Sequence, residues 1–266
     1  MTATALTVDP RTSTGLRRSP APWWRPYFSE ARYEIMRVLR QPGFAIPMLA
    51  LPAGLYLLFG VLIFGSVTRI DIHVSNFILT AFSVIGVMGP GMFGFGIFVA
   101  QERDQGLLTL KRALPAPPSA YLLAKMLMST DMALLVMVTM VAAGLAFGRL
   151  HLSPARCLLF VAVNVLGSLP FCSLGLLIGT LASGKSAPAF VNLLYQLMMH
   201  LSGLLYPLPK FLMNAAAIWP THHLQQLAMS AMGSPSSGST AVHIAVLSGI
   251  TVVVGALAVR RLARAG

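Results

Sequence analysis

Long apolar runs broken by short polar islands dominate this chain. Ile72 to Ala100 contains no Asp, Glu, Lys or Arg, and Met126 to Gly148 contains only Asp131. A bilayer core takes about 20 apolar residues of helix. On that ruler the pattern predicts six spans: Phe44–Ser66, Asn76–Ala100, Ala120–Gly148, Cys157–Ala182, Ala187–Tyr206 and Val242–Val259. The expected fold is therefore an all-α integral membrane protein with six transmembrane helices. Phe211–Ile218 is apolar but too short to cross, so the segment 207–232 is expected to hold an interfacial or re-entrant helix on the outer side. Gly233 to Ser239, rich in Gly and Ser, reads as a flexible linker into the last span.

Two polar segments stand out against this background. Before the first span, Tyr27 to Arg40 places Phe28, Ala31, Ile35, Val38 and Leu39 near one helical face, with Glu30, Arg32, Glu34, Arg37 and Arg40 mostly elsewhere. It reads as an amphipathic helix lying in the membrane plane and ended by Pro42. Between the second and third spans lies the island 101–118, beginning Gln101-Glu102-Arg103-Asp104-Gln105-Gly106 and ending in a cluster that holds Pro115, Pro117 and Pro118. Each ionisable residue costs roughly 2.5–3.5 kcal/mol at the bilayer centre, so this island must be a loop at one membrane face. Residues 1–26, rich in Thr, Pro and Arg and without an apolar signal core, are expected to form a disordered cytosolic tail, with 27–266 as one membrane domain.

Composition sharpens the class. Charged residues make up 10% of the chain, hydrophobic ones 56%, and the mean hydropathy is +0.76. Soluble domains average about 25% charged residues. The net charge of +12 tracks topology: with both termini inside, fifteen of nineteen Lys and Arg residues fall in inside segments, and only Arg69, Arg149, Arg156 and Lys210 fall outside. That asymmetry places both termini and the 101–118 loop in the cytosol, and makes the chain a multi-pass protein of the plasma (bacterial inner) membrane. Basic residues flank spans instead of interleaving with exposed aromatics, so nucleic acid is not expected as a partner. Cys157 and Cys172, fifteen residues apart on one predicted helix, would sit about 22 Å apart, beyond disulfide reach.

Signatures of chemistry are thin. Gly179 to Ser186 satisfies the P-loop expression, but it falls between two spans with no room for a nucleotide-binding sheet, and reads as a Gly/Ser turn carrying Lys185. His222 and His223 are adjacent and so point different ways on a helix, a poor chelating pair. Asp131 reads as an ion-paired or snorkelling group near a helix start, and His200 as a packing group. No catalytic residue, metal site or cofactor of this chain's own is expected.

The cytosolic loop carries more. Glu102-Arg103-x-x-Gly106, then Leu107, Leu108 and Leu110, then Leu114-Pro115, with Lys125 entering the next span, resembles the loop of ABC-2 type transporter permeases. Ser202 to Leu212 and Ile218-Trp219-Pro220-Thr221-His222-His223-Leu224 resemble that family's later segments, with Trp219 where Asn is frequent. The resemblance covers about residues 28 to 262. It implies the membrane-spanning subunit of an ATP-driven exporter, working with a second permease subunit (a homodimer) and two copies of a separate ATPase subunit that binds the ATP and Mg. It further implies a short coupling helix in this loop, with Glu102, Arg103, Asp104, Gly106, Leu107, Leu110, Leu114 and Pro115 as the ATPase-coupling residues. The charged residues can pair with a partner's groove, the leucines can anchor in it, and Gly106 permits close backbone approach. By the same analogy Asn76, Asn192, Tyr195, Gln196 and His200 line the substrate pathway, for a drug, lipid or glycan-type substrate. The competing class is an ATP-independent channel or secondary transporter, which would want paired intramembrane charges or inverted repeats.

Overall fold

Proline opens one helix after another in this chain. Its fixed φ suits the first helical turn, where its missing N–H is not needed. The computed structural model describes residues 22, 24–63, 72–108, 110, 118–147, 150, 152–206 and 208–264. Among them α1 spans Arg25–Leu39, and α2 (Pro42–Tyr56) continues as a π-helical stretch, Leu57–Ile63. Helix α3 (Ile72–Gly89) runs through a second π-helical stretch, Pro90–Ile97, into α4 (Phe98–Asp104). Then follow α5 (Pro118–Ala146), α6 (Pro154–Leu166), α7 (Leu169–Leu181), α8 (Ala187–Leu201), α9 (Lys210–Ala216), α10 (Pro220–Ala231) and α11 (Thr240–Arg264). Pro26, Pro42, Pro90, Pro154, Pro170, Pro188 and Pro220 each occupy one of the first two positions of their element. No strand occurs among the described residues.

Five helical stretches are long and apolar enough to cross a membrane: Pro42–Ile63, Val74–Asp104, Ser119–Ala146, Pro154–Leu181 and Thr240–Arg264. They fall where five of the six expected spans were placed. The remaining one, Ala187–Tyr206, is helical only over the fifteen residues of α8, which extend about 22 Å. Gly203, at φ +75°, turns the chain just beyond it. The fourth stretch is not one rod either: it breaks at Gly167-Ser168, which places Cys157 on α6 and Cys172 on α7, both as free thiols.

The Val74–Asp104 stretch is the central column, buried over most of its length, whereas the first and last stretches leave much of their surface open. One core cluster joins it to α5, α10 and the end of α8 through residues such as Val84, Met88, Met92, Val136, Met140, Met198 and Leu224. Where it meets α7, the two backbones touch through glycines. A Cβ at Gly96 would come 2.9 Å from the Gly175 carbonyl oxygen, and one at Gly179 would come 2.7 Å from that of Gly96. Small residues that let backbones approach are the usual means of packing helices in lipid, where burial against another apolar surface gains little.

Three expectations change at this level. Helix α1 does not turn its most apolar face inward: Ala31, Glu34 and Val38 are buried against α5, while Phe28, Tyr33 and Leu39 stay exposed. Its chain ends at Arg40, and Pro42 begins the next helix instead of terminating this one. Helix α10, unforeseen because its sequence is only weakly apolar, is among the most buried elements, wedged against α3, α6 and α11. The linker before α11 is also pinned at several points: Asn76 Nδ2 donates to Ser234 Oγ (2.7 Å) and Ser237 N donates to Gln226 Oε1 (2.7 Å).

Candidate functional site

Helix α4 brings three consecutive charged residues to the end of the central column, and each meets a different part of the bundle. Glu102 turns inward and is only 1% exposed. Its Oε1 accepts from Lys125 Nζ on α5 (2.9 Å) and from Arg37 on α1, and its Oε2 accepts from the Tyr121 hydroxyl (2.7 Å). Lys125 is completely buried and donates as well to Glu34 Oε2 on α1 (2.9 Å). Two carboxylates and two cations thus sum to zero charge, and three helices share one network. Phe98 supplies a wall under both cations, with Lys125 Nζ 5.8 Å and Arg37 Cζ 5.2 Å from its ring centre. Partial burial works against the Arg37 cation, but the Glu102 carboxylate outweighs this and lifts its pKa above the ordinary guanidinium value. Paired buried charges of this kind contribute little net stability, whereas removing one partner costs about 3–5 kcal/mol.

Arg103 reaches the other way. Its guanidinium donates to the carbonyl oxygens of Gly179 (3.1 Å), Thr180 (2.7 Å) and Ala182 (2.7 Å) at the C-terminal end of α7. Those carbonyls have no partner within the helix and carry the negative end of its dipole, so a cation there is favoured twice over. Asp104 Oδ2 accepts from Gly184 N (2.6 Å). The P-loop-like segment is the last turn of α7 and the turn that leads into α8, and one of its backbone amides is occupied by Asp104.

Beyond Asp104 the backbone reverses at Gln105-Gly106 and resumes helical geometry at Leu107-Leu108. Gly106 has φ +71° and nothing within 4 Å of where a Cβ would sit. Its reason for being glycine is the left-handed cap of α4, with its N–H donating to Arg103 O at 3.0 Å, and not a close approach within this chain. Leu108 packs into the cluster formed by Val99, Tyr121 and Leu262, while Leu107 and Leu110 are exposed. Leu114 and Pro115 lie outside the described residues.

Sequence reasoning gave Glu102 an outward role, and the structure turns it into the centre of an internal network. It missed Glu34, Arg37 and Tyr121 as members. One signal is available in the sequence: Glu34 and Arg37 are three apart and share a helical edge, and Lys125 stands near the start of the next span. The five pathway candidates are not brought together. Asn76 is buried and held by Ser234, and the Tyr195 hydroxyl donates to Ile85 O (3.0 Å) within the bundle. Asn192, Gln196 and His200, at four-residue spacing, form an exposed polar stripe on α8 beside Leu193 and Leu197. Among the described residues no group of three or more His, Cys, Asp or Glu is placed to hold a metal ion.

The site is thus a charged helix end bound to three neighbouring parts of a bundle with five membrane-crossing stretches. The chain belongs to the ABC-2 type transporter family, whose model matches residues 27–232. It is similar to a protein of Bacillus subtilis (strain 168) named "Putative transport permease YvfS". The two are 27% identical over 219 residues, covering 80% of this chain and 89% of that protein. It is an integral membrane permease.

Proposed function

We propose that this chain is the membrane-spanning subunit of an ATP-driven exporter, with both termini cytosolic and ATP hydrolysed by a separate subunit docked on the 101–115 loop. The observation that carries the reading is the pairing of an exposed apolar tip, Leu107 and Leu110, with a buried network one turn away. A force on that tip enters α4, which continues directly into the central column. It also reaches α1 and α5 through Glu102, Lys125 and Glu34, and α7 through Arg103. The leucines make the contact and the charged residues distribute its effect.

The stripe of Asn192, Gln196 and His200 supports a second permease subunit. Polar side chains on a lipid-facing helix are costly, so such a stripe belongs against a water-filled path or a partner's helix. With α8 short of a full crossing, a sixth span is complete only with the turn that follows it. The export path then lies between two copies of this chain along α8, and accepts a drug, lipid or glycan-type substrate moving outward.

The test is purification of the full chain from native membranes in mild detergent, wild type against a Leu107→Glu/Leu110→Glu double variant. A co-purifying ATPase with wild type, lost in the variant at unchanged thermal stability, supports the reading. Purification without any ATPase across several detergents and with ATP analogues present would overturn it in favour of an ATP-independent transporter.

A further inference from the structure

At the end of α11 remote from the ion cluster, two histidines meet in a way that constrains their protons. His223, in the first turn of α10, and His243, in the first turn of α11, are both buried, and their Nδ1 atoms are 2.7 Å apart. His223 Nε2 lies 2.8 Å from Ala217 O, and His243 Nε2 lies 2.7 Å from Ser237 O. A backbone carbonyl only accepts, so both Nε2 atoms carry hydrogen. In neutral imidazoles so arranged, both Nδ1 atoms are bare lone pairs, and at 2.7 Å they would repel. That separation is hydrogen-bond length. It is too short for a shared zinc, whose bonds of about 2.0–2.1 Å at tetrahedral angles hold two nitrogens roughly 3.3 Å apart.

We infer that His223 and His243 bind a single proton between them, so that one imidazole and one imidazolium form a +1 latch joining α10 to α11. The latch closes the linker as well, because Ser237 is held both by His243 and by Gln226. A second proton has no place in the closed pair. The chain contains no Asp or Glu after Asp131, so no carboxylate on α6 to α11 can balance it. Two further basic side chains stand near: the His222 ring lies 5.5 Å from that of His223 and 6.3 Å from that of His243, and Arg156 on α6 lies beside Gly233, at the start of the linker that His243 holds. Both histidines sit in first helical turns, where the dipole is also positive. Burial, followed by the neighbouring His243, holds His223 below the ordinary imidazole value, the direction expected of a group that resists further charge.

The closed pair holds one proton and is therefore lost in two directions: as pH falls, a second proton enters and the rings repel, and as pH rises, the shared proton leaves and the two bare Nδ1 lone pairs face each other. In the orientation proposed above the pH sensed is that outside the cell; the side sensed rests on that proposed function, whereas the shared proton does not depend on it.

The experiment is nitrogen NMR of the full chain in lipid nanodiscs with 15N-labelled histidine, assigned with His223→Gln, His243→Gln and His222→Gln variants. At neutral pH we expect a through-hydrogen-bond coupling between the two Nδ1 nuclei that survives added chelator and the His222→Gln change. On acidification the coupling is expected to vanish with a midpoint below about 6.5. If the pair variants fail to fold, the wild-type coupling and its titration still decide. Absence of coupling at neutral pH overturns the shared proton, and its loss on chelation would mean a metal site instead. A coupling that persists through acid overturns the opening of the latch.

Discussion

The two ends of the bundle solve one problem, fastening helices to one another, with opposite chemistry. At the α4 end, full charges are brought inside and cancelled: Glu34 and Glu102 against Lys125 and Arg37. At the α10 end the fastening among the described residues is made by imidazoles, hydroxyls and backbone carbonyls. The first arrangement is held by paired charges of opposite sign. The second is held by a shared proton and is sensitive to pH. On the proposed function, a bundle fixed by ions at one end and by a proton at the other would be driven from the first and tuned from the second.

The comparison breaks most sharply at Lys125. Lys125→Met leaves two buried carboxylates facing one arginine, and we expect a loss of about 3–5 kcal/mol, read as a lowered thermal midpoint in detergent. A smaller effect is expected if Glu102→Gln is added, since one uncompensated charge then disappears. Next comes Arg103→Ala, which removes a charged donor from three carbonyls of α7. Hydrogen bonds to charged groups are worth about 1.5–3 kcal/mol, and Arg103→Lys should recover only part, because an ammonium cannot span the three oxygens. Transport driven by ATP should fall further than stability does in the Arg103 variants, since α7 is then cut off from the loop.

Gly175→Leu sharpens the picture from the middle of the column, where two backbones touch. Overpacking there should cost about 1–3 kcal/mol or prevent assembly of the spans, measured as monodisperse yield after detergent extraction. The smallest expected effect is at the cap: Gly106→Ala forces a Cβ into a left-handed turn for about 1 kcal/mol, with no steric clash around it. A large loss of stability at Gly106 would mean that its surroundings within this chain are tighter than the geometry here. A large loss of ATPase binding alone would instead favour close approach by a partner.

Much of this architecture is legible from the chain. Spans of twenty apolar residues and the placement of prolines give the crossing helices within a few residues, because length and hydropathy are local properties. The break at Gly167-Ser168 is less visible, since the residues on either side are as apolar as the rest. Helix α10 escaped notice for a different reason. Its Thr221, His223 and Gln225 lower the local hydropathy, yet each finds a partner inside the bundle: Met198 O, His243 and Leu204 O.

The sequence by itself determined that this is a helical membrane protein of the ABC-2 type and that a polar island follows its second long apolar run. These follow from composition, from the bilayer's length scale and from a motif carried on consecutive residues. Only the tertiary structure decided which way each charge points. Glu102 and Asp104 are two residues apart on one helix, and one is sealed among cations while the other caps a turn across the bundle. That difference comes from what α1, α5 and the turn between α7 and α8 bring to the site, over sequence separations of 65, 23 and 80 residues. The same holds for His223 and His243, whose shared proton exists only because two helix starts twenty residues apart in the chain are packed side by side. Buried polar groups must be satisfied wherever they end up, and the fold alone chooses the partner.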